Sequence, residues 1–516
     1  MLDQIEDKVD FGGRPFHFIG IGGIGMSAIA YVLLKHQLLV SGSDKKLTHI
    51  TQRLKKHGAH IFETQNADNL TVFSPQSAQG EGLQNEQLAA GRFKAEPLKP
   101  LGPKPGSEPQ AFIPQVICST AISKTNSEYQ AALALGCPIF HRSDVLAGLM
   151  QQYRGIAVAG THGKTTTTSM IGYVLLKAGL DPTIIVGGEV GAWQGNARTG
   201  AGDYLVAEAD ESDGSLVKLS SQIGIVTNIE LDHPDHYQSI EDVVHIFQKF
   251  SRQCQILIAS ADCETVARAL DATVTYSINP ERRADYVAKE VTYAENGTRA
   301  LIFERGRLLG AIQLQVLGAH NLSNGLAAIA LGRLLGLTFE TIAEALSGFK
   351  GARRRYELRG QVNQITFIDD YAHHPSEIQV TLTAARLQAQ SKGRIIAVFQ
   401  PHRYSRTLAL IDEFAQSFTD ADCVVITDVY AAGEVAPAAV TGETLAKAIQ
   451  RHHSSVIYQP TLPDVLDYLK DVLQPGDVAL FLGAGNLNRI IPDLMTCYQQ
   501  DASAPMSRHP EVSLNL

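Results

Sequence analysis

The run Gly160-Thr-His-Gly-Lys-Thr-Thr166 constrains this chain more than any other feature. It follows the apolar stretch Gly155-Ile-Ala-Val-Ala159, which reads as a buried parallel strand. After it, Met170, Ile171, Val174 and Leu175 fall at helical spacing, and Gly179 suits the helix end. Strand, glycine loop and helix in that order make an anion cradle. Backbone N–H groups and the helix N-terminus face phosphate oxygens, Lys164 supplies charge, and the Thr165 hydroxyl can hold Mg²⁺. The full phosphate-loop pattern carries a further glycine where Val158 stands, so this is the shortened G-x-x-G-K-T form. The segment reads as an ATP site within a parallel α/β sheet.

At 516 residues the chain exceeds what one hydrophobic core serves, and about two to four domains are expected. A formal net charge of −9 argues against nucleic acid or an anionic membrane surface as the main partner. No apolar stretch is long enough for membrane insertion, and the acidic residues 1–10 lack the layout of a signal peptide. Cys118, Cys137, Cys254, Cys263, Cys423 and Cys497 form no C-x-x-C pair and read as reduced, mostly buried thiols. These features point to a cytoplasmic protein; monomer and homodimer both fit.

Strands and helices alternate along the chain, which predicts parallel sheets with helices on their faces. A first unit, 1–150, opens with the strand-like Phe16-His-Phe-Ile-Gly-Ile21 and a glycine loop. Within it, 74–112 is poor in apolar residues and without period, and reads as a flexible insertion. A second unit, 151–350, holds the phosphate loop and closes with a helix over 321–335. A third, 351–500, alternates again, with strands over 365–368, 394–399, 423–427 and 478–482. Residues 501–516 read as a disordered polar tail.

Gly20-Ile-Gly22-Gly23-Ile24-Gly25 after the first strand, with Asp44 about twenty residues on, fits the dinucleotide fingerprint. It predicts a pyrophosphate at the helix opening near Met26, and leaves open NAD, FAD or a nucleotide sugar. Glu208-Ala-Asp210-Glu211-Ser-Asp213 gathers carboxylates at a strand end, where Mg²⁺ beside ATP is expected. Asp232-His233-Pro-Asp235-His236 also follows a strand and suggests a second metal or phosphate contact. In the third unit, Asp370-Tyr371-Ala-His373-His374-Pro375 and His402-Arg403-Tyr-Ser-Arg406 are too polar for a core, and the two arginines can clamp a carboxylate or phosphate. The basic run Arg353-Arg354-Arg355 fits either a hinge or a solvated surface.

Together with His320-Asn321-Leu-Ser-Asn324 and Thr227-Asn-Ile, these motifs occur in the order found in the Mur ligases, and the chain resembles that family from about 16 to 489. The resemblance implies three α/β domains: a Rossmann-like UDP-sugar domain, a central P-loop ATPase-like domain and a Rossmann-like amino-acid domain. It implies ATP-dependent joining of L-alanine to the lactyl carboxylate of UDP-N-acetylmuramate through an acyl phosphate, with ATP and two Mg²⁺ ions. Carried over by motif, Gly20, Gly22, Gly23, Ile24, Gly25, Met26, Ser27, Asp44, Ser119 and Thr120 would hold the UDP-sugar. Gly160, Thr161, His162, Gly163, Lys164, Thr165, Thr166, His320, Asn321 and Asn324 would hold ATP. Thr165 and Glu208 would ligate one metal and His233 the other, while Tyr371, His373, His402, Arg403 and Arg406 would line the amino-acid side. Lys164, His233, Asn324, His373 and Arg403 would stand closest to the chemistry.

Overall fold

The computed structural model describes residues 8–73, 113–234, 236–294, 297–389, 393–437 and 440–503. The stretch 74–112, read above as an insertion, lies outside them. The helix Ile491–Ser503 runs past the expected tail start at 501, and 504–516 again lie outside.

Three sheets organise the chain. The first is five-stranded and wholly parallel, in the order His60–Phe62, Val40–Ser43, Phe16–Ile19, Gln115–Cys118, Ile139–His141. Phe16–Ile19 and Gln115–Cys118 are buried throughout, as strands covered on both faces require. The strand order reverses between these two, and the glycine loop and Ser119 lie at their carboxyl ends, where ligands of open α/β sheets bind.

The central sheet has ten strands. Arg154–Ala159 lies at its middle, between Ile223–Val226 and Tyr204–Glu208, all parallel. That order brings the phosphate loop, Thr227-Asn228 and Glu208 to one edge. The helix Lys164–Lys177 behind the loop buries Met170, Ile171, Val174 and Leu175. Gly179 follows it with φ +78°, in the left-handed region that favours glycine at helix ends.

Both edges of this sheet depart from the expected alternation: Thr183–Val190 and Gly195–Arg198 pair antiparallel at one, and a longer flank forms the other. Tyr286–Ala294, Gly297–Glu304 and Arg307–Leu314 form an antiparallel flank. Its inner face packs on the helices Ala319–Leu334 and Phe339–Ser347, and its other residues are partly exposed. Charges at every few positions on the open face blur the apolar run that marks the buried parallel strands.

The third sheet runs Glu357–Val362, Ile365–Asp370, Val478–Leu482, Ile395–Phe399, Cys423–Ile426, Val456–Tyr458, parallel except at its first edge. Beyond the carboxyl ends of the strands Ile365–Asp370 and Ile395–Phe399, His374 and Arg406 reach Leu231 and Asp232 of the central domain. The fold is therefore three α/β domains, each built on a mainly parallel sheet.

Candidate active site

The phosphate loop is a close backbone fit around glycine. Gly160 has φ +139°, and a Cβ there would stand 1.9 Å from Thr227 Oγ1. Gly163 has φ +80°, with Asn324 Oδ1 only 2.7 Å from where its Cβ would be. Neither position tolerates a side chain without displacing a neighbour. Thr227 Oγ1 donates to the His162 carbonyl at 2.6 Å, and the His162 N–H donates to Asn228 Oδ1 at 2.8 Å. The strand end 227–228 thus fixes the loop from one side. From the other, Thr167 Oγ1 donates to Asn324 Oδ1 at 3.0 Å, and Asn321 Nδ2 donates to the Leu317 carbonyl. His320 begins the same helix, and burial pushes its imidazole down to about 4.

Lys164 Nζ donates to both oxygens of Glu211 at 2.8 Å, and to the carbonyls of Gly160 and Thr161. Glu211, with Asp210 and Glu208 nearby, holds the ammonium above its usual range against its burial. Burial raises the Glu211 carboxyl. Thr165 Oγ1 lies 3.1 and 3.0 Å from the two Glu208 oxygens, and the Gly187 N–H donates to Glu208 Oε2 at 2.7 Å. Hydroxyl and carboxylate side by side make an oxygen donor set of the kind Mg²⁺ takes. His233 has φ +56°, and burial drives its imidazole down to about 4 although Asp232 pulls the other way. Its Nε2 lies 3.5 Å from Asp232 Oδ2. Among the described residues, the compact His/Cys/Asp/Glu group with ligand spacing is a different one, His162, Glu230 and His374.

Third-domain strand ends close over this edge. His373 packs edge-on against Tyr371 at 5.4 Å and against His402 at 5.9 Å between ring centroids. His402 stacks on Tyr430 at 5.6 Å, and its pKa falls to about 3 through burial and then the charges of His373, Arg406 and Arg403. Arg403 takes φ +68°, with its N–H donating to the Tyr430 carbonyl. Arg406 sits apart from its neighbours in role: its fork is engaged by Asp232.

In the first domain, the N–H groups of Gly20 and Ile21 donate to the Ser43 carbonyl, and the Gly22 N–H donates to Asp44 Oδ2 at 2.9 Å. Asp44 therefore braces the glycine loop itself. The helix Ile24–Lys35 begins at Gly23 without a side-chain cap, so its first N–H groups are available to an anion. Met26 and Ser27 are buried at its start, and Ser119 and the exposed Thr120 stand across the strand order reversal. Asn196 of the central domain donates to the Ile24 carbonyl and to Ser27 Oγ, tying this helix to the ATP-side sheet. A cavity of about 220 Å³ follows along this junction, lined by His49, Arg53, Glu189, Asn196 and Arg353 among others.

Several residues here are given no role at the site by the motifs. Arg142 Nη2 donates to Asp210 Oδ2 at 2.7 Å, and the guanidinium lies 3.5 Å from where a Gly25 Cβ would be, so one side chain links the first glycine loop to the carboxylate cluster of the central domain. Arg355 Nη2 lies 3.4 Å from Thr165 Oγ1. Within the run Arg353-Arg354-Arg355, Arg353 is exposed and pairs with Glu189, whereas Arg354 donates to the Gly483 carbonyl and Arg355 reaches the phosphate loop. Glu377 accepts from His162 Nδ1 at 3.0 Å and from the His373 N–H at 2.9 Å. Nothing in the spacing of a lone helix glutamate signals that contact.

Three consecutive family models match this chain: the Mur ligase family catalytic domain at 15–154, the Mur ligase middle domain at 158–332, and the Mur ligase glutamate ligase domain at 354–485. The chain belongs to the Mur ligase family, whose members are ATP-dependent ligases. Among curated relatives, the UDP-N-acetylmuramate–L-alanine ligase of Nostoc punctiforme is 59% identical over 500 residues, covering 97% of this chain and 100% of that protein. The enzyme of the same name from Synechocystis sp. is 55% identical over 503 residues, covering 95% and 98%. The crystal structure of UDP-N-acetylmuramate-alanine ligase from Thermotoga maritima superposes with a TM-score of 0.75 at 28% identity, covering 94% of this chain and 99% of that one.

Proposed function

We propose that this chain ligates L-alanine to the lactyl carboxylate of UDP-N-acetylmuramate at the expense of ATP, in peptidoglycan precursor synthesis in the cytoplasm. The observation that carries the reading is the convergence of three strand-end clusters on one phosphate loop, in a chain matched over nearly its full length by ligases of that name. No helix among the described residues is long and apolar enough to cross a membrane, which agrees with work on nucleotide-linked substrates.

In this reading 1–150 binds the UDP-sugar, with its pyrophosphate at the start of the helix Ile24–Lys35. The cavity between His49 and Arg53 of the first domain and Glu189 and Asn196 of the central domain is the place this reading gives to the muramyl group. Residues 151–350 hold ATP along 160–166 and at His320, Asn321 and Asn324. A lactyl carboxylate oxygen attacks the γ-phosphorus and ADP departs. Lys164 moves from Glu211 onto the transferring phosphoryl group, and Arg355 adds positive charge beside Thr165. Thr165 and Glu208 would hold Mg²⁺, with His233 at a second ion, and the metal would neutralise charge on the phosphate oxygens. Residues 351–500 bring alanine against Tyr371, His373, His402 and Arg403. Its amine attacks the acyl carbon, the tetrahedral intermediate expels phosphate, and the amine gives up a proton.

Phosphate release from ATP, measured with UDP-N-acetylmuramate and single amino acids in turn, tests this reading. Release that depends on both the UDP-sugar and alanine is expected. Release with a preformed tripeptide but not with alanine would overturn the amino-acid assignment.

A further inference from the structure

Outside the metal position at Thr165 and Glu208, the interface between the central and third domains carries a second donor set. His162, Glu230 and His374 each offer one ligand atom, all within 4.8 Å of one another. His162 belongs to the phosphate loop, Glu230 follows the strand Ile223–Val226, and His374 immediately precedes the helix Pro375–Ala389.

The hydrogen bonds around the two imidazoles fix which nitrogens can ligate. His162 Nδ1 lies 3.0 Å from a Glu377 oxygen, which can only accept from it when ionised. Nε2 is buried and faces Glu230 Oε2 at 3.5 Å; Glu230 and Glu377, overcoming its burial, hold the ring protonated in the empty site, and an ion bound here would take the place of the Nε2 proton. His374 Nε2 lies 3.3 Å from the Leu231 carbonyl, which can only accept, so the neutral ring carries its lone pair at Nδ1. At present Nδ1 receives only a long 3.3 Å contact from the Ser376 N–H. A carboxylate on one ring and a carbonyl on the other are the outer partners that metal-ligating histidines ordinarily have. Ser376 Oγ in turn donates to Glu230 Oε2 and holds that carboxylate in place. An open cleft of about 360 Å³, lined by Glu230, His374, Ser376, Gln379 and Glu413 among others, gives an ion a way in and room for a water as further ligand.

We propose that His162, Glu230 and His374 form a site for a borderline transition-metal ion of the Zn²⁺ class, separate from the ATP-linked magnesium, which clips the phosphate loop to the third domain. Two imidazoles and one carboxylate are the donor set that zinc takes in open sites, whereas magnesium prefers oxygen alone. An ion here ties residue 162 to the helix Pro375–Ala389, and so opposes separation of the two domains. Zinc is expected to slow turnover by retaining the closed arrangement.

The test is calorimetric titration of the intact, nucleotide-free protein with ZnCl₂ under excess Mg²⁺, which keeps the oxygen site filled. One zinc equivalent is expected, with affinity reduced about tenfold or more in both His374→Ala and Glu230→Gln. Co²⁺ substituted under the same conditions should show d–d absorption without thiolate charge transfer, which separates this site from the cysteines. Circular dichroism and melting of each variant identify one that has failed to fold, and His374→Asn then replaces it. Zinc affinity unchanged in the folded variants, thiolate bands with Co²⁺, or no stoichiometric binding would each overturn the assignment.

Discussion

Arg406 of the third domain grips Asp232 of the central domain through two hydrogen bonds, Nε to Oδ1 at 2.8 Å and Nη2 to Oδ2 at 3.2 Å. Both residues are almost wholly buried, at 2% and 5% exposure. Arg406, although buried, holds the Asp232 carboxyl well below the usual carboxylate range. Each residue sits in a motif that reads as a ligand contact, yet here each is the other's partner. The pair sets the third domain's strand ends against the edge that carries the phosphate loop, and His162 with Glu377 repeats the connection nearby. Closure of the site is thus written partly into protein–protein ion pairs.

Arg406→Ala should therefore weaken the closed arrangement more than it weakens any single substrate contact. Removing one partner of a buried pair strands the other, at about 3–5 kcal/mol. A turnover loss on the order of 10²-fold is expected from misplacement of the amino-acid side. Small-angle scattering should show a more extended molecule, and Arg406→Lys should not rescue it, because an ammonium cannot copy the planar fork. A compact variant with a raised alanine KM alone would instead put Arg406 on the substrate.

Much of this architecture is legible in the chain because parallel strands buried on both faces leave continuous apolar runs. Gly155 to Ala159, Ile395 to Phe399 and Val478 to Leu482 are of that kind. The antiparallel flank at 286–314 is not, since its solvent face interrupts the pattern with charges. At the site, glycine spacing marks both loops, because at Gly20 and Gly22, as at Gly160 and Gly163, a positive φ or a close neighbour disfavours a side chain. The partners of those loops are harder to read. Arg142, Glu211, Arg355 and Glu377 come from separate elements, and only the packing of three sheets brings them together. Arg406 shows the converse: its residue type suggests anion binding, but sequence does not say which anion.

Lys164→Ala should abolish ligation and leave UDP-sugar binding nearly intact. Lys164 lies in the central loop, and the described contacts of its ammonium are to Gly160, Thr161 and Glu211, none of them in the first domain. Loss of a charge-assisted phosphate contact should cost on the order of 10³-fold in rate or more. Phosphate release and equilibrium binding of the UDP-sugar, measured on one preparation, separate the two effects. Near-normal turnover would exclude this loop from phosphoryl transfer.

His402 gives a pH dependence with a definite sign. Burial, then the charges of His373, Arg406 and Arg403, lower its pKa to about 3 from an ordinary 6.5. Above 6.5 the ring is neutral in both folded and unfolded chains and contributes no pH dependence. As pH falls below 6.5 the unfolded chain takes up the proton first, so the folded state loses stability progressively down to about 3. His402→Gln should make the fall in Tm between pH 7 and pH 4 shallower. Parallel wild-type and variant curves would mean that the ring is not held neutral by its surroundings.

Arg403→Ala and His402→Ala should raise the requirement for alanine far more than that for ATP. Both residues follow the buried strand Ile395–Phe399, and His402 is in ring contact with His373 and Tyr430. A guanidinium fork matches alanine's carboxylate or the acyl phosphate in a way an ammonium does not. The two targets are separable, because activation of the lactyl carboxylate precedes attack by the amine. If Arg403 holds alanine, Arg403→Ala incubated with ATP and the UDP-sugar alone should still make acyl phosphate, which hydroxylamine traps as a hydroxamate. If Arg403 serves the phosphoryl group, the same variant should trap nothing and keep its affinity for alanine. The first outcome, with the alanine KM raised about tenfold or more by loss of a charge-assisted contact worth about 1.5–3 kcal/mol, is the one expected.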